Sequence, residues 1–281
     1  MRIAPPCFPC LFRQLLRTSE RVNRDKAFLM SLFEAFAREV PRIDLSKSPS
    51  HAGAILYRTI RKASGVEDPY KEAKEEGTRW ALSQLPRLRS RVLSASDPLL
   101  AGVQAAAAGN VIDFGAQESF DAEKEVDSFL IQPVPEEGYS LFRRRLEEAA
   151  WVLYIGDNCG EAVFDRLLLE AMGKPAIFLT RARPIINDVT EEDAQRSGLQ
   201  ESARILSSGC DAPGLIVEEA DEKVRRLFRE APLVISKGQG NFETLGEEKR
   251  EIFFLFKVKC SVASNLLGVP VGSLVFGPSP G

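Results

Sequence analysis

Beyond residue 150 the chain alternates between short apolar runs and segments of helical spacing, and this constrains the fold more than any other feature. Strand-like runs fall at 151–155, 175–179, 184–186, 233–236, 252–258 and 272–276, with helical runs between most of them. Such βαβ texture predicts a sheet with helices on both faces. The stretch EIFFLFKVK is ambiguous, because Phe253, Phe254 and Phe256 would also serve a buried helix.

The clearest unit is WVLYIGDNCGEAVFDRLLLEAMG, residues 151–173. An apolar strand runs into Gly156, then Asp157 and Asn158. Val163, Phe164, Leu167, Leu168 and Ala171 then recur at helical spacing, and Gly173 suits a C-cap. In open α/β sheets, ligands bind beyond the carboxyl ends of the strands. Polar residues at this strand end are therefore candidates for a site.

Residues 11–108 read as helical throughout. Asp68-Pro69 and Asp97-Pro98 each fit an N-cap followed by proline at the first helical position. The expected organisation is an N-terminal helical domain or cap, 1–108, packed on a three-layer α/β/α domain, 109–281. The segment GNVIDFG links the two, and the active site is expected in the cleft between them.

Composition narrows the function. The 281 residues are 44% hydrophobic and 27% charged, with a formal net charge of −3. No basic stripe interleaved with aromatics argues for nucleic acid. The runs Arg143–Arg145 and Arg225–Arg226 suit solvated helix faces. No apolar run is long enough to span a bilayer, and the first residues lack the apolar core of a signal peptide, so a cytoplasmic location is expected. Five cysteines, an odd number, argue against a disulfide framework. His51, the only histidine, excludes a histidine-rich metal site and disfavours a Ser-His-Asp triad. It reads as a surface residue near a helix start.

Several further segments run from apolar residues into Gly, Asp or Asn: PIINDVTEEDA, SSGCDAPG, VISKGQGNFE and GNVIDFG. If the strands are parallel, Asp157, Asn158 and Asp188 share one sheet edge. Two carboxylates and an amide oxygen form a hard donor set suited to Mg²⁺ or Mn²⁺ beside a substrate phosphate. Lys237 supplies positive charge in a glycine-rich turn, and backbone amides around Gly238 and Gly240 could cradle an anion. Each residue also has a plainer reading. Asp157 suits a turn, and Glu161 suits a helix's first turn by charge alone. Asp188 could cap the next helix, although Thr190 with Asp193 makes the better capping box. Neither GDNCGEA nor SKGQGN has the order of a dinucleotide or P-loop motif.

In order along the chain, CFPC, DPYKEAKEE, GNVIDFG, GDNCGEAVFDRLL, INDVTEEDA, GCDAPG, SKGQGNFE and KCSVASNLLGVPVGSLV resemble the metal-dependent damage-control phosphatases. The branch most similar is the prokaryotic one with an N-terminal Cys-x-x-Cys. The resemblance implies a helical domain on an α/β/α domain and hydrolysis of phosphate monoesters of small metabolites, such as sugar phosphates. It implies a divalent cation (Mg²⁺, Mn²⁺, Co²⁺ or Ni²⁺) held by Asp157, Asn158 and Asp188. It places Asn110 and Asp113 in the substrate cleft, and Lys237, Gly238 and Asn241 near the phosphate. The nucleophile is water, or Asp157 acting covalently. Asp113 or Glu161 acts as a base or an orienting group. A metabolite-binding or redox-sensing protein and a sugar kinase are the alternatives. A kinase would need ATP, whereas a phosphatase releases phosphate with metal alone. Cys7, Cys10 and Cys260 are expected to cluster, tying the N-terminal helix to the core without entering the chemistry.

Overall fold

The structure, a computed structural model, describes residues 1–109 and 122–279. Among the described residues, seven α-helices precede the sheet: α1 (Cys7–Val22), α2 (Lys26–Glu39), α3 (Pro49–Ser64), α4 (Lys71–Ser94), α5 (Pro98–Gly109), α6 (Ala122–Phe129) and α7 (Glu136–Glu148). The chain then alternates through β1 (Val152–Ile155), α8 (Cys159–Met172), β2 (Ala176–Thr180), α9 (Glu191–Arg196), β3 (Arg204–Ser207) and α10 (Glu222–Glu230). It ends with β4 (Leu233–Lys237), α11 (Gln239–Leu245), β5 (Phe253–Lys257), α12 (Ser261–Leu267) and β6 (Leu274–Pro278).

The strand order is β3-β2-β1-β4-β5-β6. The first five strands are parallel, and β6 pairs antiparallel with β5. All four residues of β1 are buried, because helices cover both faces. Val152 and Tyr154 pack with residues of α5, α7 and α8. Leu153 and Ile155 point the other way, among residues of α10, α11 and α12. This is the expected three-layer α/β/α arrangement. From β1 the chain builds outward to β2 and β3, then crosses back to lay β4 on the other side of β1. The crevice between the carboxyl ends of β1 and β4 is thus the topological switch point.

The helices before the sheet go to two places. Leu11, Leu15, Leu32, Phe36, Leu56 and Ile60 join α1, α2 and α3 in a cluster of their own. Helices α4, α5 and α6 instead pack with Val163, Phe164 and Leu167 of α8.

Several local expectations hold and others do not. Asp97 accepts the Leu100 N–H at 3.1 Å and caps α5. Gly173 ends α8 in the left-handed region, as Gly65 ends α3. Thr190 and Asp193 form the capping box of α9. The Asp68-Pro69 start is wrong by a few residues, since α4 begins at Lys71. Asp68 instead accepts the Tyr70 N–H at 3.0 Å and pairs with Lys74 at 2.7 Å. EIFFLFKVK resolves as strand β5. The run 184–186 is not a strand: Ile185 packs among α1–α3, and Ile186 sits at φ 45°, which no strand allows. The third strand lies later, at β3. His51 is half-buried in the first turn of α3, its Nδ1 2.8 Å from the Ser48 hydroxyl. Among the described residues no helix is long and apolar enough to cross a membrane.

Candidate active site

Three strand ends meet at the switch point. The turn after β1 carries Gly156, Asp157 and Asn158, and the segment after β2 folds back beside it. Val189 N–H donates to the Asp157 carbonyl at 2.8 Å, and Cys159 N–H to the Asn187 carbonyl at 2.9 Å. Arg181 N–H closes the β2 loop on the Val189 carbonyl at 2.9 Å. These backbone bonds bring Asp188 beside Asp157 and Asn158, which precede it by 31 and 30 positions in sequence.

The floor of the site is a buried charge cluster. Asp157, Glu161, Asp165 and Asp188 are all buried, as are Arg181 and Lys237. Lys237 Nζ lies 2.5 Å from Glu161 Oε1, 2.5 Å from Asp165 Oδ1 and 3.0 Å from the Ala106 carbonyl, which occupies all three of its hydrogens. Burial opposes its charge, but Asp165 and Glu161 outweigh burial and hold the ammonium above its ordinary pKa. Tyr154 donates its hydroxyl to Asp165 at 2.6 Å. Arg181 donates from Nε to Asp188 at 2.7 Å and from Nη1 to Asn241 at 3.1 Å, and its Nη2 lies 3.7 Å from Asp157 Oδ1. Asn158 Nδ2 donates to Asp157 Oδ2 and to Glu161 Oε2, each at 2.9 Å.

Among the described residues, four buried carboxylates beside two buried cations give an excess of negative charge. Burial, then Glu161 and Asp188, push the Asp157 carboxyl well above the usual carboxylate range. Burial also raises Asp188, despite Arg181 beside it. A divalent cation would balance this excess. Among the described residues no group of three or more His, Cys, Asp or Glu side chains is arranged to hold a metal. A cation here would therefore depend on Asn158 Oδ1 beside the two aspartates. Asn158 fits that part, because its Nδ2 is committed to two carboxylates and its Oδ1 is left for a ligand. The donor set is hard and all-oxygen.

Gly238 and Asn241 hold the walls. Gly238 sits at φ 80°, and a Cβ there would lie 2.0 Å from Asp157 Oδ2, so the position excludes any side chain. Asn241 is fully buried. Its Oδ1 accepts from Arg181 Nη1 at 3.1 Å and Leu215 N–H at 2.8 Å. Its Nδ2 donates to the Gly156 carbonyl at 3.0 Å and the Lys237 carbonyl at 2.7 Å. All four hydrogen-bonding positions of the amide are used within the protein.

A cleft of about 490 Å³ opens above this floor. Asp157, Asn158 and Asp188 line it, with the face of α1, the start of α12 and Lys259. Lys237, Glu161 and Asn241 lie beneath it, fully buried. Asn110 and Asp113 lie outside the described residues. Cys7, Cys10 and Cys260 all line the cleft as free thiols. The Cys7 thiol, raised chiefly by burial, feels both of the others. Cys159 is buried, its thiol donating to the Asp188 carbonyl at 3.5 Å.

Sequence reasoning missed Asp165, the second carboxylate on Lys237, and two basic residues. Arg181 reads as an ordinary loop arginine, yet one guanidinium reaches Asp188, Asn241 and Asp157. Lys259 follows β5 and is exposed on the cleft wall, where Asp157 and Asp188 both feel its charge. The only sequence signal for either is position, just beyond the carboxyl end of an apolar strand.

A parallel sheet with acid-lined strand ends under a helical wall defines the class: an α/β/α protein with a hard-donor cleft at its switch point. Comparison with known proteins agrees. Residues 3–275 match the damage-control phosphatase ARMT1-like domain, and the chain belongs to that family. It is 32% identical to the uncharacterized protein MJ0202 of Methanocaldococcus jannaschii, covering 98% of this chain and 95% of that one. It is 31% identical to a damage-control phosphatase of Archaeoglobus fulgidus, covering 98% of each. The solved structure of a DUF89 family protein from Pyrococcus horikoshii superposes with a TM-score of 0.90 at 30% identity, covering all of both chains.

Proposed function

We propose that this chain is a divalent-metal-dependent phosphatase acting on phosphate monoesters of small metabolites, sugar phosphates among them. The observation that carries the reading is the acid-rich cluster at the switch point, four buried carboxylates beside two buried cations among the described residues, with Asp157, Asn158 and Asp188 on the cleft floor. Membership of the damage-control phosphatase family supports the same activity.

Asp157, Asp188 and Asn158 Oδ1 would hold Mg²⁺, Mn²⁺, Co²⁺ or Ni²⁺. When bound, such a cation polarises the phosphoryl group and offsets the charge that develops on it. Arg181 orients Asp188 and faces Asp157, fixing where both carboxylates point. Glu161 orients Asn158 by accepting its amide hydrogen. Lys237 acts from beneath the floor by holding Glu161 and Asp165 in place, and Gly238 leaves room for the Asp157 carboxylate. Lys259, exposed on the wall, is the lysine able to meet phosphate oxygens. Water is the attacking group in this reading. Asp157 is poorly free to attack, since Oδ2 accepts from Asn158 and Oδ1 faces Arg181. Asn110 and Asp113 enter the proposal from the family's substrate segment.

The test is phosphate release from a panel of sugar phosphates with each metal in turn, against a chelated control. Release with metal and without nucleotide is expected, and Asp188→Asn should lower turnover far more than stability. Transfer that requires ATP would replace this reading with a kinase. No release under any metal would refute it.

A further inference from the structure

We infer that the cleft selects phosphate esters carrying a second anionic group, such as a carboxylate or another phosphate, held by Arg13 and Arg17 of α1. The inference rests on the phosphatase reading and extends it to substrate class.

The α1 wall has a regular construction. Cys10, Arg13, Gln14 and Arg17 recur at spacings of three and four residues, and all four line the cleft. The other face of α1 turns Leu15, Thr18 and Ser19 inward. That packing fixes the rotation of the helix. Gln14 is held as well: Tyr57 donates its hydroxyl to Gln14 Oε1 at 3.3 Å.

Arg13 and Arg17 have no carboxylate within ion-pair distance among the described residues. Both are exposed to the cleft. The carboxylates of the floor are engaged by Arg181, Lys237 and the proposed cation, and Lys259 stands near them. The two arginines therefore form a separate positive pole, on a wall built from another part of the chain. A cleft of about 490 Å³ has room for a ligand longer than one phosphate group. Guanidinium forks match carboxylate and phosphate oxygens in paired hydrogen bonds, which favours an anion at this pole.

The test compares 6-phosphogluconate with glucose 6-phosphate. Both are six-carbon esters with the phosphate at the same end, and only the former carries a carboxylate at the other. The wild-type protein should prefer 6-phosphogluconate in kcat/KM by about tenfold or more, the effect of one charge-assisted contact. In the Arg13→Ala/Arg17→Ala double variant that ratio should fall toward unity, with the change carried in KM. The Lys double variant should keep part of it. A thermal melt verifies that the variants fold, as expected for exposed positions. An unchanged ratio would overturn the inference. So would an equal loss on both esters, which would place the arginines on the transferred phosphate. If neither ester is hydrolysed, the panel of esters and metals decides the phosphatase reading, and thermal-shift titration with the same two compounds decides this one separately. Tighter, arginine-dependent binding of 6-phosphogluconate supports it, whereas equal binding or none overturns it.

Discussion

Asn241→Ala separates two accounts of one residue. The motif places Asn241 near the phosphate. The structure gives its amide four partners within the protein: Gly156, Lys237, Leu215 and Arg181. Three of these bonds are neutral, worth about 0.5–1.5 kcal/mol each, and the one from Arg181 is charge-assisted, worth about 1.5–3 kcal/mol. Removing the amide also leaves its buried partners without replacements. The loss should be roughly 3–7.5 kcal/mol, a large part of the 5–15 kcal/mol typical of a domain. Urea unfolding followed by fluorescence would measure it as a lower midpoint. Turnover should fall too, because the amide links the ends of β1 and β4 to Arg181, which orients Asp188. A stability loss under about 1 kcal/mol with a large fall in kcat would refute this accounting. Asn241 would then act on substrate and not on the walls.

Gly238→Ala should cost about 1–2 kcal/mol from its left-handed backbone and also displace the Asp157 carboxylate. Mn²⁺ should then no longer raise the melting temperature, and a retained shift would show that Asp157 accommodates a methyl group. Lys237→Met leaves Glu161 and Asp165 buried without their cation and should cost about 3–5 kcal/mol, with part recovered in Lys237→Met/Asp165→Asn. No recovery would mean that Lys237 is held mainly by packing. Asp193 is opposed by burial, but Lys74 at 2.8 Å and Thr190 outweigh it and hold its carboxyl below the usual range. Its stabilisation is present above an unfolded carboxylate pKa of about 4 and is lost as pH falls through the lower folded value. The stability difference between wild type and Asp193→Asn should therefore be full near neutrality and shrink in acid. A pH-independent difference would refute the ion pair as its source.

What the sequence revealed depended on whether a pattern was local. The passage from β1 into α8 is legible because an apolar run, a breaking Gly156 and helical spacing follow one another directly. The capping box at Thr190 and Asp193 is local in the same way. Strand β3 escaped notice because it is a short edge strand, exposed or half-buried along its length, and RILS carries no continuous apolar run. The run 184–186 misled because Ile185 is apolar for a tertiary reason: it fills the α1–α3 cluster from a loop. Arg181 was invisible because nothing in a sequence distinguishes a buried arginine from a solvated one. Lys237 was half legible. Its partners Glu161 and Asp165 lie four residues apart and share one face of α8, a spacing that asks for a buried cation when most of the helix is buried.

That lysine also shows how the switch point divides its charges. Where β1 and β4 run side by side, their carboxyl ends converge closely enough that Gly238 has no room for a side chain beside Asp157. Into so tight a junction the chain inserts Lys237 from below and Arg181 from the side, both fully buried, and they offset part of the carboxylate charge. Neither is exposed to a ligand. The cations that can meet one, Lys259, Arg13 and Arg17, come from segments outside the junction and stay exposed on the cleft wall. In the proposed reading a buried cation fixes the geometry of the acids, and an exposed cation meets the substrate. Burial, more than membership of a motif, decides which of the two a basic residue in this cleft does.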